Sequence, residues 1–202
     1  MNKLTAITAA TVAAAALVLT GCSDQPGAAP DDGGTSTEAS QAAVDVNDAD
    51  VSFAQNMVPH HQQAVEMSDL LLAKDGVAEP VTVLAEDIKA AQEPEIEQMN
   101  TWLQTWGAET GGGMDHGDMG HDMGHGDGMM TEEDMADLEA APGPEASSLF
   151  LEQMIEHHEG AVAMAQEQVE QGQHPDAVAL AEKMVTDQES EIEEMRGLLA
   201  TL

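Results

Sequence analysis

The 202-residue chain has no tyrosine, two phenylalanines, two tryptophans and one cysteine. So few aromatics leave a core of Leu, Ile, Val, Met and Ala, and a single cysteine excludes an internal disulfide or a thiolate zinc cluster. Basic residues are scarce too: five Lys and Arg face 39 Asp and Glu, a formal net charge of −34. Such a field repels nucleic acid and anionic lipid headgroups and gathers cations; solubility at high salt explains it equally well. No stretch alternates apolar and polar residues over a strand's length, and Ala, Glu, Gln, Met and Leu dominate. Both facts favour helix.

The one long apolar run, Leu4 to Leu19, follows Lys3 and ends in Leu19-Thr20-Gly21-Cys22. It has the form of a bacterial lipoprotein signal rather than a membrane span. Residues 1–21 are then a signal peptide, and lipid on Cys22 makes the membrane a partner. The protein is expected outside the cytoplasm, anchored to the cell membrane; an ordinary signal or an uncleaved anchor gives the same side. Residues 22–47, rich in Asp, Gly, Ser, Thr and Ala, form an expected disordered tether. As a flexible coil it reaches roughly 25–30 Å. Met and His survive as metal ligands in an oxidising compartment where a thiolate is vulnerable.

The chain contains one pattern twice. Phe53-Ala-Gln-Asn-Met57-Val-Pro-His60-His61-Gln-Gln-Ala64-Val65-Glu-Met67 recurs as Phe150-Leu-Glu-Gln-Met154-Ile-Glu-His157-His158-Glu-Gly-Ala161-Val162-Ala-Met164. Seven of sixteen positions are identical between 53–68 and 150–165, and they are the Phe, both Met, both His and the Ala-Val pair. Drift has spared the soft-metal donors. At about 100° per residue, Phe53, Met57, His60, His61, Ala64, Met67 and Leu71 fall on one stripe roughly 120° wide. The second copy behaves alike. Thioether and imidazole together point to copper(I), then silver(I). A Met at helical spacing is ordinarily core filler, but two His-His pairs at equivalent places are hard to account for by packing.

A second element repeats as well. Leu84-Ala-Glu-Asp-Ile88-Lys-Ala-Ala-Gln92-Glu-Pro-Glu95-Ile96-Glu-Gln-Met99 matches Leu180-Ala-Glu-Lys-Met184-Val-Thr-Asp-Gln188-Glu-Ser-Glu191-Ile192-Glu-Glu-Met195. Each repeat is thus a helical hairpin, with helices near 48–74 and 78–106, then 145–172 and 176–201. Two hairpins packed together make a four-helix bundle. The expected domain has hairpins at 48–106 and 145–202, joined by a Met/His/Gly-rich loop over 107–144. Pro59 and Pro94 lie inside helices of the first hairpin only, and Pro59 directly precedes His60. In the second helices the apolar stripe is interrupted by Gln92 and Glu95, and again by Gln188 and Glu191. Antiparallel pairing puts these groups level with the histidines, where they would orient the imidazoles or join the coordination. Met99 and Met195 are accessory thioethers, and His174, in a turn before Pro175, is expected to be idle.

Between the hairpins, Met114, His116, Met119, His121, Met123 and His125 sit among Gly and Asp with no helical period. The expectation is a flexible metal-collecting arm, less selective than the bundle; the alternative is a degenerate spacer.

These motifs resemble a bacterial family known as domain of unknown function 305, marked by Phe-x3-Met-x2-His-His-x2-Ala-x2-Met, here at 53–67 and 150–164, with Gln-x2-Glu-Ile-x2-Met at 92–99 and 188–195. The resemblance covers roughly 48–202. It implies an all-α, ferritin-like four-helix bundle and an extracytoplasmic copper or silver binder. The ligands it implies are Met57, His60, His61, Met67, Met154, His157, His158 and Met164. Glu156 stands where the signature commonly has proline.

The leading function is therefore sequestration, buffering or handover of copper(I), with silver(I) also accepted, by a lipoprotein that is not an enzyme. Its metal donors and acceptors are unspecified, and nucleic acid is excluded. An oxidase with a dinuclear centre needs Glu-x-x-His pairs, and Glu152-Gln-Met-Ile-Glu156-His157 misses that spacing. The other alternative is a structural or interaction lipoprotein whose core histidines respond to pH.

Overall fold

The computed structural model describes residues 45–110 and 128–202. Cys22, the signal, most of the tether and the donors Met114, His116, Met119, His121, Met123 and His125 lie outside the described residues. Five helices are present: α1 Asp48–Leu72, α2 Glu79–Trp106, α3 Glu132–Ala140, α4 Gly143–Gln171 and α5 Pro175–Leu199. No strand occurs among the described residues, and no described helix is long and apolar enough to cross a membrane.

Helix α1 begins at a capping box in which Asn47 accepts from the Asp50 backbone and Asp50 answers to the Asn47 backbone. Pro80, Pro144 and Pro175 stand in the first turns of α2, α4 and α5, where a missing N–H costs nothing. Pro59 and Pro94 sit inside α1 and α2 without ending either helix.

Helix α1 packs on α2 and α4, and α4 packs on α5. The buried side chains fall into two apolar clusters. One unites Met67 and Leu71 with Val81, Leu84, Ile88, Phe150, Met154, Ile192 and Met195. The other unites Phe53, Met57, Met99 and Leu103 with Ala161, Ala165, Leu180 and Met184. Each cluster joins the start of one long helix to the end of its neighbour, so the hairpins pack antiparallel and are related by a pseudo-twofold. Four long helices form the bundle, as the repeat predicts.

The structure departs from the sequence reading at 107–144, where an unbroken loop was expected. Residues 132–140 form α3, and α4 starts at Gly143 rather than 145. The cause is local: Thr131 and Asp134 make a reciprocal capping box, and Leu138 buries its side chain in the first cluster. The turn at Gly143 is tight enough that a Cβ there would lie 2.1 Å from the Asp75 carbonyl.

The opposite end is fastened by Asp50. Its buried carboxylate accepts from Gln168 Nε2 at 2.6 Å and from the backbone N–H groups of Gln173 and His174. Burial alone would raise its pKa; the hydrogen bonds from Asn47, Gln168, His174 and Gln173 outweigh that and hold it below its usual value.

Candidate metal centre

Between the two apolar clusters lies a buried polar layer. His60 and His61 enter from α1 and His157 and His158 from α4, none more than 1% exposed. The stripe periodicity makes this unavoidable, since adjacent positions on a core-facing line straddle it. His60 and His157 meet across the α1–α4 contact, ring centroids 3.7 Å apart and planes inclined by 41°. The two repeats therefore converge on one central layer.

The outer two histidines turn toward α2 and α5. His61 Nε2 lies 3.0 Å from Glu95 Oε2, and His158 Nε2 lies 2.7 Å from Glu191 Oε2. A carboxylate only accepts, so Nε2 must carry the proton and donate it. That leaves Nδ1 of each ring with a free lone pair. Both Nδ1 atoms are buried without a hydrogen-bond partner. Buried nitrogens normally find partners; lone pairs fixed by a carboxylate behind the ring are what a metal ligand requires.

Two of the rings, His61 and His157, are biased toward the neutral form. Burial pushes the pKa of His61 down, against the opposing pull of Glu95. Burial, then the neighbouring rings of His60, His158 and His61, push His157 well below its ordinary value. Neutral imidazole is the ligating form.

Gln92 and Gln188 are buried at the same level, each with an amide oxygen that lacks a partner. Glu95 also takes Lys183 Nζ at 3.3 Å on its other oxygen, and Lys183 pairs in turn with Asp187 at 2.6 Å. The position matching Lys183 in the first hairpin is Asp87, so the two halves differ in charge behind the glutamates.

The thioethers divide into groups. Met57 and Met154, one turn before each His pair, are fully buried in the clusters on opposite sides of the layer. Met67 is buried, but six residues of helix set it roughly 9 Å beyond His61 along the axis. Its counterpart Met164 is half-buried and lines an open cavity of about 380 Å³ with Asp48, Asn56 and Glu167. Met99 and Met195 are buried in the clusters. His174 is not idle: it caps α5 through Nδ1 and packs on Trp102 and Trp106. Its N-cap place before Pro175 was a legible signal for that role.

Among the described residues no three His, Asp or Glu side chains are grouped so as to hold an ion by themselves. Imidazoles in the layer and the buried thioethers of Met57 and Met154 beside it are the donor types present. The donor set is thus suited to soft, low-coordinate ions.

Residues 50–199 match the family model described as domain of unknown function DUF305, and the chain belongs to that family. A DUF305 protein from Streptomyces coelicolor is 37% identical with a TM-score of 0.67, over 76% of this chain and 91% of that one. A DUF305 fragment from Deinococcus radiodurans is 32% identical with a TM-score of 0.69, over 78% and 99%. CopM in its Cu(II)-bound form is 32% identical with a TM-score of 0.64, over 75% and 96%, and the same protein is known in Cu(I)-bound and silver-bound forms. Among curated proteins there is no match.

Proposed function

For a DUF305 chain whose core holds buried imidazoles between thioethers, we propose binding of copper(I) and silver(I) outside the cytoplasm, in sequestration, buffering or handover. One observation carries this reading: Nδ1 of His61 and of His158 is buried with no hydrogen-bond partner, on rings whose Nε2 faces a carboxylate. These atoms, with His60, His157 and the thioethers of Met57 and Met154, would hold the ion. The ion is cargo, and the chain's part is to hold imidazoles deprotonated and oriented. Glu95 and Glu191 supply the orientation from behind two of the rings, while burial is what disfavours the extra proton on His61.

Support for the choice of metal comes from CopM, which has been obtained with Cu(I), Cu(II) and silver. Imidazole accepts either copper state, whereas thioether favours the monovalent ion. The lipoprotein-like sequence at Leu19-Thr20-Gly21-Cys22 supports anchoring through lipid on Cys22, and the loop donors Met114 to His125 support an accessory, less selective role in metal capture. The Glu-x-x-His spacing of carboxylate-bridged oxidases is missing, which supports a carrier rather than an enzyme.

The test is an anaerobic copper(I) titration against a competing chelator. The chain should bind tightly, keep that binding when 108–127 becomes a Gly/Ser linker, and lose it when His60, His61, His157 and His158 all become Ala. Circular dichroism checks that the variant stays helical, and the single change His157→Asn provides a milder test. Binding that survives the loss of the four histidines would overturn the proposal.

A further inference from the structure

The two repeats do not supply every buried thioether of the core. Residues 128–130, which return the chain to the bundle, cross the groove between α1 and α4. Gly128, at φ 75°, is pressed against α4: a Cβ there would lie 2.7 Å from the Glu156 carbonyl oxygen, 2.9 Å from Gly160 Cα and 3.0 Å from the His157 carbonyl oxygen. Only glycine fits both that conformation and that approach. Two residues on, the side chain of Gln63 grips Met130 at both backbone groups. Gln63 Nε2 donates to the Met130 carbonyl at 2.9 Å, and the Met130 N–H donates to Gln63 Oε1 at 2.7 Å.

Gln63 and Gly160 occupy equivalent positions in the two copies, each two residues beyond its His pair. The strap thus spans the same two helices, α1 and α4, whose His60 and His157 rings meet. Its side chain at 130 turns inward: Met130 is 7% exposed and belongs to the same apolar cluster as Met154 and Met67. A core position could be filled by Leu or Ile. The strap instead delivers a thioether, on a backbone fixed by two hydrogen bonds, into the cluster that holds Met154.

We propose that Met130 is a further thioether donor to the ion held at the histidine layer, closing that site on the α1–α4 side. The inference rests on the reading of the layer as a copper(I)/silver(I) site. It makes the centre asymmetric, because the strap supplies a donor to one cluster and the pseudo-twofold has no second strap among the described residues. Burial under the strap also predicts slow release.

The experiment uses the full chain carrying methionine labelled with carbon-13 at the methyl group, titrated anaerobically with silver(I), with Met130→Leu and Met135→Leu for assignment. Met135 also packs against the cluster, from α3, and serves as the control. The Met130 methyl resonance should shift with one saturating ion while Met135 stays in place. Met130→Leu, which keeps the apolar volume, should weaken silver(I) binding by about tenfold or more, since even groups behind a ligand are worth that. An unmoved Met130 resonance, equal shifts at Met130 and Met135, or an affinity of Met130→Leu unchanged from the parent would overturn the inference. Loss of binding in the four-histidine variant reports on the site itself, so the two readings fail separately.

Discussion

Two carboxylates decide how the central histidines can act. Glu95 and Glu191 accept from Nε2 of His61 and His158, and so turn Nδ1 inward as a lone pair. Glu95→Gln and Glu191→Gln can present an amide N–H where a carboxylate stood and so favour the opposite tautomer. Each should weaken copper(I) binding about 10- to 100-fold while leaving helicity intact, measured by chelator competition and far-ultraviolet circular dichroism. Equal affinity in both variants would mean that the rings ligate without help. Gln92 and Gln188 pose a different question, because their amide oxygens are buried and unpaired. Replacing both with Leu removes that penalty, so the metal-free bundle should be as stable or more stable. Metal affinity should nonetheless fall; if it does not, these amides have no part in binding. That polar groups stand at this level was legible in the sequence, as interruptions of an apolar stripe. Which of them touches an imidazole was not, because Gln92 and Glu95 lie about one turn apart and either can reach.

At the scale of the element, the helices answer to different ranges of pH. His61 and His157 have pKa values depressed below 6.5 in the folded state, whereas the unfolded chain protonates near 6.5. Stability from keeping them neutral is complete above 6.5 and is lost as pH falls through their folded values. Asp50 is depressed below 3.8, so its contribution is present above 3.8 and fails only in stronger acid. Urea unfolding of the metal-free protein should therefore show stability declining from about pH 6.5 downward, with a second loss below pH 4. A curve flat between pH 7 and 5 would contradict the neutral, buried layer. Asp50→Ala leaves the donors of Gln168, Gln173 and His174 without their acceptor and should cost about 3 kcal/mol at neutral pH. Helix α3 shows how an element escapes a reading based on composition. By composition the segment reads as loop with its Gly-rich neighbours, although Thr131-Glu-Glu-Asp134 is a capping signal and Met135 and Leu138 follow at helical spacing. A nine-residue helix is too short to announce itself by period alone.

Taken as a whole, the molecule is a duplicated hairpin closed on itself, and duplication is what made the fold legible. Two copies of one stripe, each unable to cover its apolar face, require one another. The sequence left open whether the stripes would form one site or two; the 3.7 Å approach of His60 and His157 places them in one layer. Asymmetry was the least legible property. Met67 is buried and Met164 half-exposed, Lys183 answers to Asp87, and the strap at 128–130 crosses between α1 and α4 at Gln63 and Gly160. None of these follows from aligning the copies, because each depends on what packs beside them. The net charge of −34 acts on the whole surface. It should raise the on-rate for monovalent copper or silver at low ionic strength, and stopped-flow rates should fall as salt is added. Bound metal should also stabilise the fold, by about 2.7 kcal/mol at a free concentration of 100 Kd.

Whether copper sits at this layer is most directly tested by X-ray absorption at the copper edge of the Cu(I)-loaded chain, beside the variant in which 108–127 is a Gly/Ser linker and that same linker variant with the four histidines also changed to Ala. The account predicts imidazole nitrogen together with thioether sulfur around one copper, unchanged without the loop segment and with the imidazole scattering gone in the histidine variant. Scattering from imidazole that persists without His60, His61, His157 and His158, or that vanishes when only the loop is replaced, would contradict it.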